Sequence, residues 1–283
     1  MELQIAEQAG FCYGVKRALE IVEKHLEQNE NKKVYILGPL IHNPQINQRL
    51  AEKGLVTVNS LEEVKDGILI IPSHGVSPRV IKEIQGKGIG IEDATCPHVR
   101  KAQQLAENLD QQGYQVIIIG EANHTEVKGI WGHIRGKGII LEKLEQLDNI
   151  KLESRLGIVV QTTQSAENLK KIVAELVVKA KEIKIYNTIC QATKERQKAT
   201  AELAKSVDLM IVIGGYNSAN TKRLAEICRQ AGAPEVYHIE TFEDLNLQGL
   251  NGKQKIGITA GASTPDWVIK EIEQEINNWR EGN

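Results

Sequence analysis

Apolar residues along this chain gather in short runs that stop abruptly. Val34–Leu37, Ile68–Ile71, 116–119, 158–160 and Leu209–Ile213 are such runs, followed by Gly38, Pro72, Gly120, Gln161 and Gly214. Their length and unbroken apolar character are those of strands buried on both faces. Between them the apolar positions fall at helical spacing, as Val15, Ala18, Leu19, Val22 and Leu26 do. Gly54 is placed to end a helix, and Ser60-Leu61-Glu62-Glu63 has the form of a capping box. Strands alternating with helices predict an α/β chain with parallel sheets, whose ligands sit beyond the carboxyl ends of the strands.

The pattern comes round three times. Short extended segments lead into Cys12, Cys96 and Cys190, and a basic residue stands four places on, at Lys16, Arg100 and Lys194. Gly38, Gly120 and Gly214 each close the next strand, and four residues later stand His42, His124 and Ser218. A short helix of the form Leu/Phe-Glu-x-Val/Leu follows, beginning at Leu61, Leu144 and Phe242. The last loop of each repeat carries His74, Thr162 and Gly261-Ala262-Ser263 ahead of a helix. The expected architecture is three pseudo-threefold related α/β lobes with mainly parallel sheets around a central cavity. The lobes are expected at residues 12–95, 96–189 and 190–283, with residues 1–11 as an N-terminal strand packing on the third.

Composition narrows the function. With 283 residues, 41% hydrophobic and 25% charged, this is the make-up of an ordinary globular protein. A net charge of −2 argues against a general nucleic-acid footprint, so an anionic ligand must be held locally. No apolar run reaches membrane-spanning length, so no membrane partner is expected. Four cysteines do not make a disulfide scaffold and suit a reducing cytoplasm.

Three thiols at helix N-termini, with Lys16, Arg17, Arg100, Lys101 and Lys194 nearby, are in a setting that favours thiolates. Thiolates suit zinc or an iron–sulfur cluster. A single cysteine would be read as a small core residue; recurrence at equivalent places favours ligation. Cys228, inside a helix and outside the repeat, is read as packing. His42, His74 and His124, with Thr162, Ser218, Asn220 and Ser263, form a set of polar donors suited to a phosphate or diphosphate. The histidines are equally compatible with zinc. Glu126, two residues past His124 in a loop, is placed as a proton donor or relay. The Lys/Glu-rich faces of the helices at 15–28, 99–109 and 194–206 read as solvated surface. A zinc protein and a non-catalytic module for phosphorylated ligands both remain open on residues alone.

Several longer motifs resemble the LytB family. They are Ala9-Gly10-Phe11-Cys12-Tyr13-Gly14-Val15, Gly38-Pro39-Leu40-Ile41-His42-Asn43-Pro44 and Ser73-His74-Gly75-Val76. Asp93-Ala94-Thr95-Cys96-Pro97, Gly120-Glu121-Ala122-Asn123-His124-Thr125-Glu126 and Gln161-Thr162-Thr163 belong with them. So do Asn217-Ser218-Ala219-Asn220-Thr221 and Ala260-Gly261-Ala262-Ser263-Thr264-Pro265. The resemblance runs from about residue 3 to about residue 270.

It implies reductive dehydroxylation of (E)-4-hydroxy-3-methylbut-2-enyl diphosphate to isopentenyl and dimethylallyl diphosphate, in the non-mevalonate isoprenoid pathway. It implies a [4Fe–4S] cluster held by Cys12, Cys96 and Cys190, with an open iron for the substrate hydroxyl. By the same resemblance His42, His74, Ser218, Asn220 and Ser263 bind the diphosphate, and His124 is shared between diphosphate and proton delivery. Glu126 is then the proton source, Thr162 orients it and the substrate alcohol, and ferredoxin or flavodoxin supplies electrons. Many members carry a serine where this chain has Ala219, so one phosphate contact is in doubt.

Overall fold

A computed structural model describes residues 1–28 and 32–282. Its twelve strands form three separate four-stranded sheets, in which every pairing is parallel. The first sheet holds β2 (Val34–Leu37), β3 (Leu55–Val58), β4 (Ile68–Ile71) and β5 (Gly90–Asp93), in the order β3-β2-β4-β5. The second holds β6 (Gln115–Ile119), β7 (Gly138–Leu141), β8 (Arg155–Val160) and β9 (Glu182–Ile185), in the order β7-β6-β8-β9. The third has β10 (Leu209–Ile213), β11 (Glu235–Ile239) and β12 (Lys255–Ala260) in the matching places. Its fourth place is filled by β1 (Glu2–Ile5), which pairs with β12.

The three sheets therefore share one topology, and each fourth strand leads the chain to a cysteine. β1 runs to Cys12, β5 to Cys96 and β9 to Cys190. Each cysteine is followed at once by a helix: α1 (Tyr13–Gln28), α4 (Pro97–Gln111) or α7 (Gln191–Ala204). The second strand-to-strand connection of each repeat carries a short 3-10 turn. The turn at Leu61–Glu63 has the predicted capping box, with Ser60 and Glu63 each satisfying the other's backbone N–H.

Contacts divide the chain into two compact units. Lys16–Ile41 and Asn47–Cys190 make one, containing the first and second sheets. Met1–Val15, His42–Ile46 and Gln191–Asn283 make the other, containing the third sheet. In both, the central strands are sealed on two faces: Ile117, Ile119, Ile158 and Val160 meet one side of the second sheet, Val116, Ile118 and Val159 the other. Such burial explains why these strands read as continuous apolar runs.

The remaining helices are α2 (Pro44–Glu52), α3 (Pro78–Gly86), α5 (Thr125–Trp131), α6 (Ala166–Val177), α8 (Ala219–Gln230) and α9 (Asp266–Gly282). Among the described residues, no helix is long and apolar enough to cross a membrane.

Candidate functional site

The loops after the carboxyl ends of the strands carry the predicted residues, and each cysteine is held there by the same backbone bond. The N–H of Cys96 donates to Ser73 O at 2.9 Å, that of Cys190 to Thr162 O at 3.0 Å, and that of Cys12 to Ala262 O at 3.3 Å. These bonds set the true register of the last loops. Ser73, Thr162 and Ala262 are equivalent, which makes His74 and Ser263 equivalent to Thr163. Thr162 thus lies in the equivalent loop but one place before the position held by His74 and Ser263.

In the unit of the first two sheets the chemistry centres on Glu126. The sequence places this residue in a loop; it lies instead in the first turn of α5, which His124 caps with its Nδ1 accepting from the Glu126 N–H at 3.2 Å. The helix escapes pattern reading because it spans only two turns and is capped by a histidine. Glu126 is buried, with 3% of its surface exposed. Thr162 donates to both of its oxygens, from the backbone N–H at 2.6 Å and from the hydroxyl at 2.7 Å. Burial pushes the Glu126 carboxyl up to about 7, against the opposing pull of the two Thr162 hydrogen bonds. The group is therefore poised to hold and release a proton near neutrality.

His74 stands in a loop fitted tightly beside α5. Gly75 has φ +71°, and a Cβ there would lie 2.6 Å from the amide Nε2 of Gln103 on α4. A Cβ on Gly129 of α5 would lie 3.4 Å from the His74 carbonyl. Close packing of this kind fixes where His74 sits relative to Glu126. His74, Ser77, Thr125 and Lys128 line a cavity of about 340 Å³ on this face. Arg100, expected to favour a thiolate at Cys96, is engaged by Asp93 at 2.7 Å. Arg17 reaches the Thr95 carbonyl, next to Cys96, at 3.3 Å.

In the other unit, Ser218 caps α8 and accepts from the Thr221 N–H at 3.3 Å. Asn220 lies in the first turn of α8 and is 4% exposed. Among the described residues neither its Oδ1 nor its Nδ2 has a hydrogen-bond partner. Leaving both ends of a buried amide unpaired costs free energy, which a polar ligand would recover. His42 differs from its expected counterparts His124 and Ser218, because Asn43 is the residue whose side chain accepts from the Ile46 N–H at 3.0 Å. The His42 carbonyl accepts from Ser263 Oγ at 3.2 Å, and burial lowers the pKa of its imidazole. A Cβ on Gly215 would lie 2.7 Å from that carbonyl. The structure thus brings His42, Ser263 and the Ser218 loop together.

Two residues that the sequence analysis does not single out organise this unit. The Glu240 carboxylate accepts from the Tyr216 N–H in the Ser218 loop, and its carbonyl accepts from the Gln45 amide at 3.4 Å beside the His42 loop. Arg196, on the face of α7 opposite its Lys/Glu-rich one, is 2% exposed, with Thr193, Gln197 and Thr200 buried alongside it. Their spacing on α7 is that of a core-facing stripe, a signal masked by polar residue types.

All four cysteines are free of disulfides. Cys12, Cys96 and Cys190 are partly exposed and each directly precedes a helix. Cys228 is fully buried on α8 among apolar neighbours, and desolvation pushes its thiol up to about 12. Among the described residues no three His, Cys, Asp or Glu side chains form a group that could hold a metal ion. In chemistry, three reduced and accessible cysteines at equivalent loop ends suit an iron–sulfur cluster, whereas the sealed Cys228 does not.

Three parallel-sheet α/β lobes, with a cysteine-bearing loop after the fourth strand of each sheet and a buried glutamate beside one of them, define the class of protein. The LytB protein family matches residues 3–277. The chain belongs to that family and is an enzyme, an oxidoreductase. The 4-hydroxy-3-methylbut-2-enyl diphosphate reductase of Geobacter metallireducens is 46% identical over 276 residues, covering 98% of this chain and 97% of the relative. That of Aquifex aeolicus is 45% identical over 286 residues, covering 100% and 98%. A solved structure of (E)-4-hydroxy-3-methyl-but-2-enyl diphosphate reductase, the terminal enzyme of the non-mevalonate pathway, superposes with a TM-score of 0.72. It has 45% identity, over 98% of this chain and 100% of that one. The Plasmodium falciparum reductase superposes with a TM-score of 0.93 at 32% identity, over 98% and 88%.

Proposed function

We propose that this chain reduces (E)-4-hydroxy-3-methylbut-2-enyl diphosphate to isopentenyl and dimethylallyl diphosphate. Two electrons and two protons are consumed. The carbon–oxygen bond of the allylic alcohol breaks, water leaves, and a C–H bond forms at one end of the three-carbon allylic unit. The observation that carries this reading is the Glu126–Thr162 pair, a buried carboxyl raised to about 7 and held at both oxygens. Hydroxide is a poor leaving group, so a proton delivered to the departing oxygen lowers the barrier to its loss. A carboxyl that keeps its proton near neutral pH is suited to that delivery, and the Thr162 hydroxyl is suited to orient both Glu126 and the alcohol.

His42, His74, His124, Ser218, Asn220 and Ser263 are proposed to receive the diphosphate, whose binding positions the reacting carbon. The unpartnered amide of Asn220 supports its place in that set. Cys12, Cys96 and Cys190 would hold a [4Fe–4S] cluster. When bound, such a cluster supplies single electrons and a Lewis-acidic iron corner. The electron donor proposed is ferredoxin or flavodoxin, and the compartment is the cytoplasm.

Anaerobic purification followed by iron and sulfide counting, with product analysis under a chemical reductant, tests the reading. Near four irons and four sulfides per chain are expected, together with both isomeric diphosphates. Protein containing zinc alone, or converting no substrate when iron-loaded, would overturn it.

A further inference from the structure

The loop between β1 and Cys12 turns the backbone into the left-handed region twice, at Gln8 with φ 63° and Gly10 with φ 92°. Gln8 is the only non-glycine with positive φ among the described residues, a conformation that costs an L-residue free energy and needs outside support. The support comes from Arg196. Its Nε donates to Gln8 O and its Nη2 to Gly10 O, both at 2.8 Å. Gly10 is confined on another side, where a Cβ would lie 2.9 Å from Asp266 Oδ1 and 3.1 Å from Ile269 Cδ1. By contrast, the cysteine's own backbone bond is the longest of the three equivalents, 3.3 Å against 2.9 and 3.0 Å.

We infer that Arg196 is a positioning residue, whose buried guanidinium sets the backbone on which Cys12 is presented as a ligand. A planar fork with several fixed donors can hold two carbonyls at once, which an ammonium group cannot do with the same geometry. Burial of such a charge on a helix otherwise rich in surface residues is costly, and the bonds to the two loop carbonyls help offset it. A weaker version of the device occurs in the other unit, where Arg17, on the helix after Cys12, donates to Thr95 O just ahead of Cys96. The inference rests on Cys12 being a cluster ligand.

The test uses the full chain as wild type, Arg196→Lys and Gly10→Ala, the last disturbing the same loop with Arg196 intact. Iron and sulfide are counted first. After removal of iron by chelation, iodoacetamide labelling of Cys12, Cys96 and Cys190 is timed separately by peptide mass spectrometry. Hydrogen exchange is followed over residues 6–12. Arg196→Lys is expected to speed Cys12 labelling about tenfold, the change that loss of one charge-assisted hydrogen bond would bring. Labelling of Cys96 and Cys190 should stay unchanged, and exchange over 6–12 should rise. Equal acceleration at all three thiols, or none at Cys12, would overturn the inference. If Arg196→Lys does not fold, Arg196→Gln, which keeps a planar donor but loses the two-carbonyl fork, is read by the same criterion. Wild-type protein lacking iron and sulfide would sink the cluster reading and leave the labelling pattern interpretable on its own.

Discussion

Thr162 grips the Glu126 carboxyl by both oxygens, one through its backbone N–H and one through its hydroxyl. The first bond survives any substitution that keeps the backbone; the second does not. Thr162→Val keeps the branched shape and removes only the hydroxyl. Both Thr162 bonds pull the Glu126 pKa down against burial, so the variant should raise it further. Activity that needs protonated Glu126 falls as pH rises through its pKa, and the alkaline limb of the pH–rate profile should therefore move to higher pH. An unmoved limb would show that the hydroxyl does not act through Glu126.

Glu126→Gln should retain fold and ligand binding while losing roughly 10²–10⁴ of turnover, the range for removing a proton donor. It should also change how stability depends on pH. The Glu126 pKa is raised from 4.5 to about 7, so the folded state holds the proton that the unfolded chain has released. Wild-type stability is then full below pH 4.5 and is lost as pH rises through about 7, by on the order of 3 kcal/mol. Denaturant titrations across that window should show the decline in wild type and flatten it in Glu126→Gln. Parallel curves would place the titration elsewhere.

Asn220→Ala removes an amide that is buried without partners, so it should leave the melting temperature unchanged or slightly higher. Wild-type protein should gain thermal stability from inorganic diphosphate, and the variant should lose most of that gain. If the variant melts early with its diphosphate response intact, Asn220 serves the fold and not the ligand.

Cys12→Ser, Cys96→Ser and Cys190→Ser should each abolish iron binding and activity. Cys228→Ala should keep both and lower stability by about 1–2 kcal/mol, as expected for a small cavity in a sealed core. Iron content measured beside melting temperature separates the two classes. A serine at 228 is the harsher change, since it places a hydroxyl among Met210, Val212 and Leu224.

Much of this architecture is legible in the chain. Val34–Leu37 and Leu209–Ile213 are strands at the predicted bounds because burial on both faces leaves them wholly apolar. Cys96 and Cys190 stand at helix starts as read, since strand, loop and helix signals are all local. Long-range and atypical features were not legible. α5 is short and histidine-capped. The one-place offset of Thr162 from His74 and Ser263 depends on backbone bonds that no side-chain pattern encodes. Arg196 is buried because two distant carbonyls receive it, and composition alone gives an arginine on a Lys/Glu-rich helix to solvent. Glu240 joins the loops of Gln45 and Tyr216, far apart in the chain, through one carbonyl and one carboxylate.

The pairing of Leu3 with Ile256 has a consequence for biosynthesis. On the ribosome the first two sheets can be finished while later sequence is still being made, but β1, made before either of them, belongs to the third sheet. It must wait, unpaired, until β12 is translated, and loop closure over nearly the whole chain then stands between it and its partner. The turn at Gln8 and Gly10 can settle only after that pairing, so truncation near the C-terminus should unsettle the opening residues first.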